Sequence, residues 1–342
     1  MYASPTLIGA ALSVGGDGMF GFRPDHAGAG LYGSSEPLLQ LIVESEVTSA
    51  IRPRPSVVRM GRKEYHAQKR GDKRLLMFGP MVIRPANQGD YPLFARLFPE
   101  LRAPDPVPSR ARFETEMMAT TLIAERDGAG VGVAFFQVLE TMGYVRTLIA
   151  APEARRTGVG RALMAHLRDH FRAIGCTRWC LNVIRTNGAA IGLYASFGLR
   201  RAYLSSMVDV PWKLLDDRPC LHAARPIDPA DDARIEHALD ILPGRITDTR
   251  RRGPYVYRMI DGPGPGEIGA AAIFDPAFPG AYPFKARSPE LAIALLHALR
   301  PHARPTDDAV SVVIEDQPAI ADALVALGAT VRLETMHMRA PL

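Results

Sequence analysis

The chain of 342 residues is long enough for two globular domains and an appendage, and its 47% hydrophobic and 23% charged residues suffice to bury sizeable cores. No apolar run approaches the ~20 residues that a membrane helix needs. The 41 basic and 36 acidic residues, a net +5, form no concentrated patch, so composition points away from membrane and nucleic-acid partners. Three cysteines, Cys176, Cys180 and Cys220, are too few for a disulfide framework, and Met1–Ala11 lacks the basic start and apolar core of a secretion signal. A cytoplasmic protein is the expectation.

Residues 1–80 stand apart, with a glycine-rich stretch, one short helical passage at Leu38–Val47 and a basic run, Arg59–Arg74. They read as a poorly ordered or dispensable extension. Gly28-x-Gly30-x-x-Gly33 has neither a strand before it nor a helix after it, and is set aside as a dinucleotide fingerprint. A regular pattern begins with a strand at Met81–Arg84, then Asp90 as an N-cap and Leu93, Phe94, Leu97 and Phe98 at helical spacing. A second helix is expected over Ser109–Thr120, a hairpin from Leu122–Glu125 and Val131–Leu139 about the Asp127-Gly128 turn, and another turn at Gly143. Tyr144–Ala150 reads as a buried strand, followed by a loop and a helix from Gly158 with Val159, Leu163, Leu167, Phe171 and Ile174 on one face, closed by Gly175. Trp179–Ile184 is the next strand, so the two strands around this helix should be parallel. Asn187 caps a short helix ended by Gly198, and a last strand runs from Arg200 to Val210.

The residues with chemistry to offer are Arg155-Arg156-Thr157-Gly158-Val159-Gly160, between strand and helix. A helix start presents unpaired N–H groups and the positive end of the helix dipole, and two glycines let an anion approach the backbone. Arg155, Arg156 and Arg161 add cations suited to phosphate. Alone, the hexapeptide fits a tight turn as well as it fits a pyrophosphate cradle. His166 and His170, four apart on this helix, read as an exposed face rather than a metal site, and Cys176 and Cys180 as core residues.

Two ordered motifs, Leu148 to Leu163 around Arg-x-x-Gly-x-Gly and Asn187-x-x-Ala190-x-x-Leu193-Tyr194-x-x-x-Gly198-Leu199, resemble those of the GCN5-related N-acetyltransferase (GNAT) family. The resemblance implies an α+β fold with a mixed, mostly antiparallel sheet flanked by helices, and transfer of an acetyl group from acetyl-CoA to a primary amine, without a metal. It implies that Leu148, Ile149 and Ala150 border a splay between two strands that admits the pantetheine arm. The backbone from Arg156 to Arg161 would hold the pyrophosphate, Asn187 would touch the pantetheine or hold the loop, and Tyr194 would protonate the leaving thiolate. A general base is not legible, since the strand carries no carboxylate; Glu140, Glu114 and Glu116 are substitutes that read more readily as surface charges.

After Trp212 the pattern restarts. Ala224-Arg225-Pro226 echoes Ile83-Arg84-Pro85, and a shift of 130 residues carries Gly198 onto Gly328 and Pro211 onto Pro341, while Asp261–Gly266 reads as a hairpin loop. The expected organisation is therefore tandem: an active copy at 81–211 and a degenerate one at 221–342. The same shift puts Ser288, Glu290, Gln317 and Leu324 where the first copy has Gly158, Gly160, Asn187 and Tyr194. A glutamate opposes a pyrophosphate electrostatically, so the second copy is expected not to bind CoA but to complete the fold, cover the acceptor groove or support a homodimer. The acceptor, a small molecule or peptide amine, is expected to be selected by the first two helices and the loop Pro104–Pro108. The rival reading is a non-catalytic acyl-CoA sensor or partner-binding module.

Overall fold

The computed structural model describes residues 56–57, 79–103, 107–251, 254–276 and 279–342. Apart from 56–57 and 79–80, the expectations about residues 1–80 lie outside the described residues, as does the middle of the loop Pro104–Pro108. A two-residue strand, β1 (Ser56–Val57), is followed by β2 (Met81–Pro85), α1 (Tyr91–Leu97) and α2 (Arg110–Arg112, continued by a π turn over Phe113–Met117). Then come β3 (Thr121–Arg126), β4 (Ala129–Leu139), β5 (Met142–Ala150), α3 (Val159–Ala173), β6 (Arg178–Ile184), α4 (Gly188–Ser196) and β7 (Arg200–Pro211). The second half has β8 (Arg225–Pro226), α5 (Asp232–Ala238), α6 (Arg245–Arg250), β9 (Val256–Asp261), β10 (Ile268–Asp275) and β11 (Gly280–Ala286). It ends with α7 (Pro289–Leu299), β12 (Ala309–Glu315), α8 (Pro318–Ala326) and β13 (Thr330–Pro341). From β8 to β13 the element order repeats that from β2 to β7.

Local chemistry accounts for most of these elements. Asn87 caps a single turn, Gln88–Asp90, that leads into α1, and the Asp90 carboxylate accepts from the Asn87 amide while Arg84 grips it. Asp90 is thus tied to the strand before it rather than capping α1 itself. The Ser109 hydroxyl caps α2, but the helix expected over Ser109–Thr120 passes through α, π and 3-10 turns instead of one regular coil. Asp127 and Gly128, with φ of 51° and 77°, turn β3 into β4. On α3, Val159, Leu163, Leu167 and Phe171 are all buried, as the spacing predicts, each stabilising by about 1.5–3 kcal/mol. Gly175 ends that helix at φ 83° and Gly198 ends α4 at φ 89°. The Asp261–Gly266 segment joins β9 to β10 as a hairpin.

Two further expectations need correction. Gly143 is not a turn: the chain reverses at Glu140 and Thr141, and Gly143 lies within β5 where a Cβ would stand 2.4 Å from the Phe171 ring. The glycine is a packing concession to α3. His166 and His170 are half-buried rather than exposed, and His170 meets Phe136 edge-on at 5.1 Å.

The strands form one sheet in the order β1-β2-β3-β4-β5-β6-β13-β7-β12-β11-β10-β9-β8. All neighbours are antiparallel except β5 with β6 and β11 with β12. The halves meet by exchanging strands: β13 lies between β6 and β7, and β7 lies between β13 and β12. Across this seam Met336 pairs with Val183 and Leu204, and His337 with Asn182 and Tyr203. One core, containing Phe94, Phe113, Leu163, Phe171 and Trp179, belongs to the first half but also takes Met338 and Ala340 from β13. A second core packs α7 and α8 on the other end of the sheet and takes Val208 and Val210 from β7. Backbone pairing and apolar burial therefore both cross between halves.

Candidate active site

β5 and β6 are joined only from Met142–Val145 to Arg178–Leu181. Beyond this, β5 continues to Ala150 paired on its other edge alone, with Leu148, Ile149 and Ala150 opposite Ala134, Val133 and Gly132 of β4. The splay expected at Leu148–Ala150 is present, and it leaves backbone groups of β5 facing the gap toward β6.

The chain then crosses to α3 through a loop of defined shape. Pro152–Ala154 make a 3-10 turn, Arg156 takes φ 63° and Gly158 φ 94°. Thr157 fixes the middle of the loop: its hydroxyl donates to the Ala154 carbonyl at 2.7 Å, while Arg126, at the end of β3, donates to the Thr157 Oγ1 at 2.7 Å and carbonyl at 3.0 Å. Sequence reasoning missed Arg126, because 31 positions separate it from the loop and only the β3–β4 hairpin returns it there. No side chain caps α3, so the amides of Val159, Gly160 and Arg161 have no intrahelical acceptor and converge at the positive end of the dipole. A Cβ built on Gly158 would meet no heavy atom within 4 Å, so the approach to these amides is open. Gly160 has a second reason to be glycine: its Cβ would lie 3.0 Å from Leu193, where α3 and α4 come together.

The predicted cations divide. Arg155 pairs with Glu100, Arg156 is exposed, and the Arg161 guanidinium lies 5.7 Å from the Phe197 ring. Asn187 accepts from the Ala190 amide at 3.1 Å and thereby holds the start of α4. Tyr194 is buried in the first core at 7% exposure, and burial pushes its phenol above the ordinary value, so it keeps its proton throughout the neutral range. Of the candidate bases, Glu114 and Glu116 are paired with Arg110 and Arg112 one helical turn away. Glu140 sits at the β4–β5 turn, roughly 25 Å along β5 from Ala150. Among the described residues no cluster of His, Cys, Asp and Glu could hold a metal, and no helix is long and apolar enough to cross a membrane.

The uncapped helix start thus lies open, beside an interrupted parallel pair, with amides that could accept an anion. Residues 90–199 match the model of the Acetyltransferase (GNAT) family. Over 77 residues, 22% of this chain, the sequence is 34% identical to the [ribosomal protein bS18]-alanine N-acetyltransferase of Escherichia coli strain K12; the match spans 52%, about half, of that relative. A GCN5-related N-acetyltransferase from Sphaerobacter thermophilus superposes with a TM-score of 0.53 at 16% identity, covering 76% of this chain and 95% of that one. A tandem GNAT protein from the clavulanic acid biosynthesis pathway gives 0.50 at 19% identity, covering 76% and 98%. The chain has the mixed, mostly antiparallel fold of GNAT acyl-CoA N-acyltransferases.

Proposed function

We propose that the chain is a tandem GNAT N-acetyltransferase that moves an acetyl group from acetyl-CoA directly to an amine, with the first half, 81–211, carrying the donor site. The observation that supports it best is the conjunction of the splay after Val145 with the uncapped α3 start at Gly158. The amides of Val159, Gly160 and Arg161 would hold the pyrophosphate, with Arg156 adding charge. Free backbone groups of Leu148–Ala150 would hold the pantetheine and polarise the thioester carbonyl, positioning the donor and stabilising charge on its oxygen. The neutral amine attacks that carbonyl, the carbon–sulfur bond breaks and the nitrogen's surplus proton passes to solvent water; Tyr194, a neutral phenol, is the group proposed to give the departing thiolate its proton and to regain one from water after turnover. The second half, 221–342, would complete the sheet without a donor site.

Calorimetry with acetyl-CoA tests this. One site per chain in the wild type, abolished by Gly158→Glu, is expected, because a carboxylate would then stand where the pyrophosphate lies. Two sites, or none, would overturn the reading. Tyr194→Phe should keep that binding and lower kcat by about 10²-fold or more; an unchanged turnover would remove Tyr194 from the chemistry, and an absence of turnover in the wild type favours a non-catalytic acyl-CoA binder.

A further inference from the structure

On one face of the sheet, at the seam between the halves, buried polar side chains close into a ring. Asn182 Nδ2 donates to the Tyr144 hydroxyl at 3.0 Å, and Asn182 Oδ1 lies 2.6 Å from His337 Nδ1. His337 stacks on Tyr203 with ring centroids 4.5 Å apart, and Tyr203 and Tyr282 both donate to Glu315 Oε1, at 3.4 and 3.2 Å. Arg245, the first residue of α6, lies between the rings of Tyr282 and Tyr144, at 5.4 and 5.1 Å, and completes the circuit. The first half supplies Tyr144, Asn182 and Tyr203; the second supplies Arg245, Tyr282, Glu315 and His337.

Arg245 is 1% exposed, and Nε, Nη1 and Nη2 all lack a hydrogen-bond partner among the described residues. A guanidinium has five N–H donors and stays charged in proteins, and contacts with tyrosine faces use none of these donors. Two carboxylates act on it through space, Asp248 and Glu315, but neither is hydrogen-bonded to it, and Glu315 Oε1 accepts from two tyrosines instead. Other atoms on this face also lack partners: Gln137 Nε2, Ser205 Oγ and His337 Nε2, in residues no more than 5% exposed. Lys285, whose ammonium donates to the Glu315 carbonyl at 2.8 Å, and Arg146, which donates to Gln137 Oε1 at 3.2 Å and lies over the Tyr144 ring at 4.7 Å, bring further positive charge, against the carboxylates of Glu315 in the ring and Asp248 beside Arg245. Buried N–H groups without acceptors are costly, and a surplus of buried cations more so.

We infer that this ring binds the carboxylate of a small amine-bearing molecule, with Arg245 as the fork that grips it. A carboxylate matches the guanidinium in a planar, two-bond pairing and brings one negative charge near Glu315, where a phosphate dianion would bring two. Residues at 1–5% exposure lie too deep for the terminus of a folded protein. Arg146 and Asn182 are the first residues beyond the last pair joining β5 to β6, so the ring adjoins the splay. The assignment of this molecule as the acceptor therefore rests on the acetyl-transfer reading, while the binding site does not. Arg245 would determine specificity without touching the reacting atoms, and the second half would supply the anchor for a reaction at the first.

The full chain is to be titrated calorimetrically, without acetyl-CoA, with free L-amino acids, β-alanine and γ-aminobutyrate, each beside its carboxamide, and with inorganic phosphate. At least one amino carboxylate should bind about tenfold or more tightly than its carboxamide and than phosphate, and Arg245→Gln should remove the difference while still binding one acetyl-CoA. Equal binding of acid and amide, preference for phosphate, no carboxylate bound at all, or discrimination intact in Arg245→Gln would each overturn the inference. If Arg245→Gln does not fold, the acid–amide comparison in the wild type decides alone. Carboxylate bound without acetyl-CoA binding would sink the transfer reading and keep the site; the converse would sink the site and keep the transfer reading.

Discussion

The starts of α3 and α7 hold the same place in the repeated element order, yet they offer different things to a ligand. Before α3 the chain runs eight residues from Ala150 and arrives uncapped at Gly158, with φ 94°. Before α7 only Arg287 and Ser288 follow Ala286, and the Ser288 hydroxyl accepts from the Leu291 amide at 3.3 Å. Pro289 has no N–H to give, and the Glu290 carboxylate, held below the ordinary range first by a hydrogen bond from Ser288, places a negative charge in the first turn. The strand edge differs in the same sense. Gln317, where the first half has Asn187, bonds the Ala286 carbonyl through its NH2 and accepts from the Ala286 amide, so its side chain lies across the edge that is open at Ala150. The pair β11–β12 stays joined as far as Phe284 and Ile314. The comparison teaches that what a helix start presents is altered by local changes, a shorter loop, a cap and a carboxylate, while the fold around it persists.

The largest effect expected is on the seam. Removing residues 330–342 deletes a strand bonded on both edges, to β6 and β7, and takes Met338 and Ala340 out of the first core. Urea denaturation followed by circular dichroism should then give no cooperative transition in either half. A surviving transition with one acetyl-CoA still bound would mean that the first half is self-sufficient and that the halves differ more deeply than in their helix starts.

The seam also carries a titration. Burial, then Arg339, Arg245 and Lys285, push His337 down to about 3. Its unfolded value is about 6.5, so between these two the unfolded chain holds a proton that the folded chain refuses. Stability should therefore fall as pH is lowered from about 6.5 toward about 3, by at most ~1.4 kcal/mol per pH unit from this residue. His166 and His170, lowered by burial, act in the same direction. Denaturation across this range should show a shallower slope, by about one proton, in His337→Gln; an unchanged slope would assign the pH dependence elsewhere.

A smaller effect compares equivalent arginines. Arg84 bonds Asp90 and Glu125 from a side chain 25% exposed, whereas Arg225 bonds Asp261 from one 43% exposed. Arg84→Ala should cost about 1–3 kcal/mol and leave Asp90 with only its bond from the Asn87 amide, while Arg225→Ala should cost less than about 1 kcal/mol. Equal costs in denaturant melts would show that the two pairings are energetically alike despite their burial.

Much of the first half was legible because its signals are local. The spacing of Val159, Leu163, Leu167 and Phe171 requires a helix with one buried stripe, Gly175 and Gly198 take the left-handed conformation expected of them, and Asn187 caps the helix after it. The splay was legible only through a resemblance, since no residue in Leu148–Ala150 announces that its neighbour strand has departed. Gly143 misled because a turn and a tight strand–helix contact both call for glycine, and only the position of Phe171 distinguishes them.

By itself, then, the sequence determined the repeated order of strands and helices, the glycine-marked helix start and the serine and glutamate that replace its glycines in the second half, because each follows from periodicity, capping and charge within about thirty residues. Tertiary structure alone decided that the halves exchange their last strands, that Arg126 holds Thr157, and that Arg245 lies between Tyr144 and Tyr282, 101 positions from the one and 37 from the other. Such contacts depend on which sheet edges pair and which faces are buried, and those are set by the packing of the whole chain rather than by any segment of it.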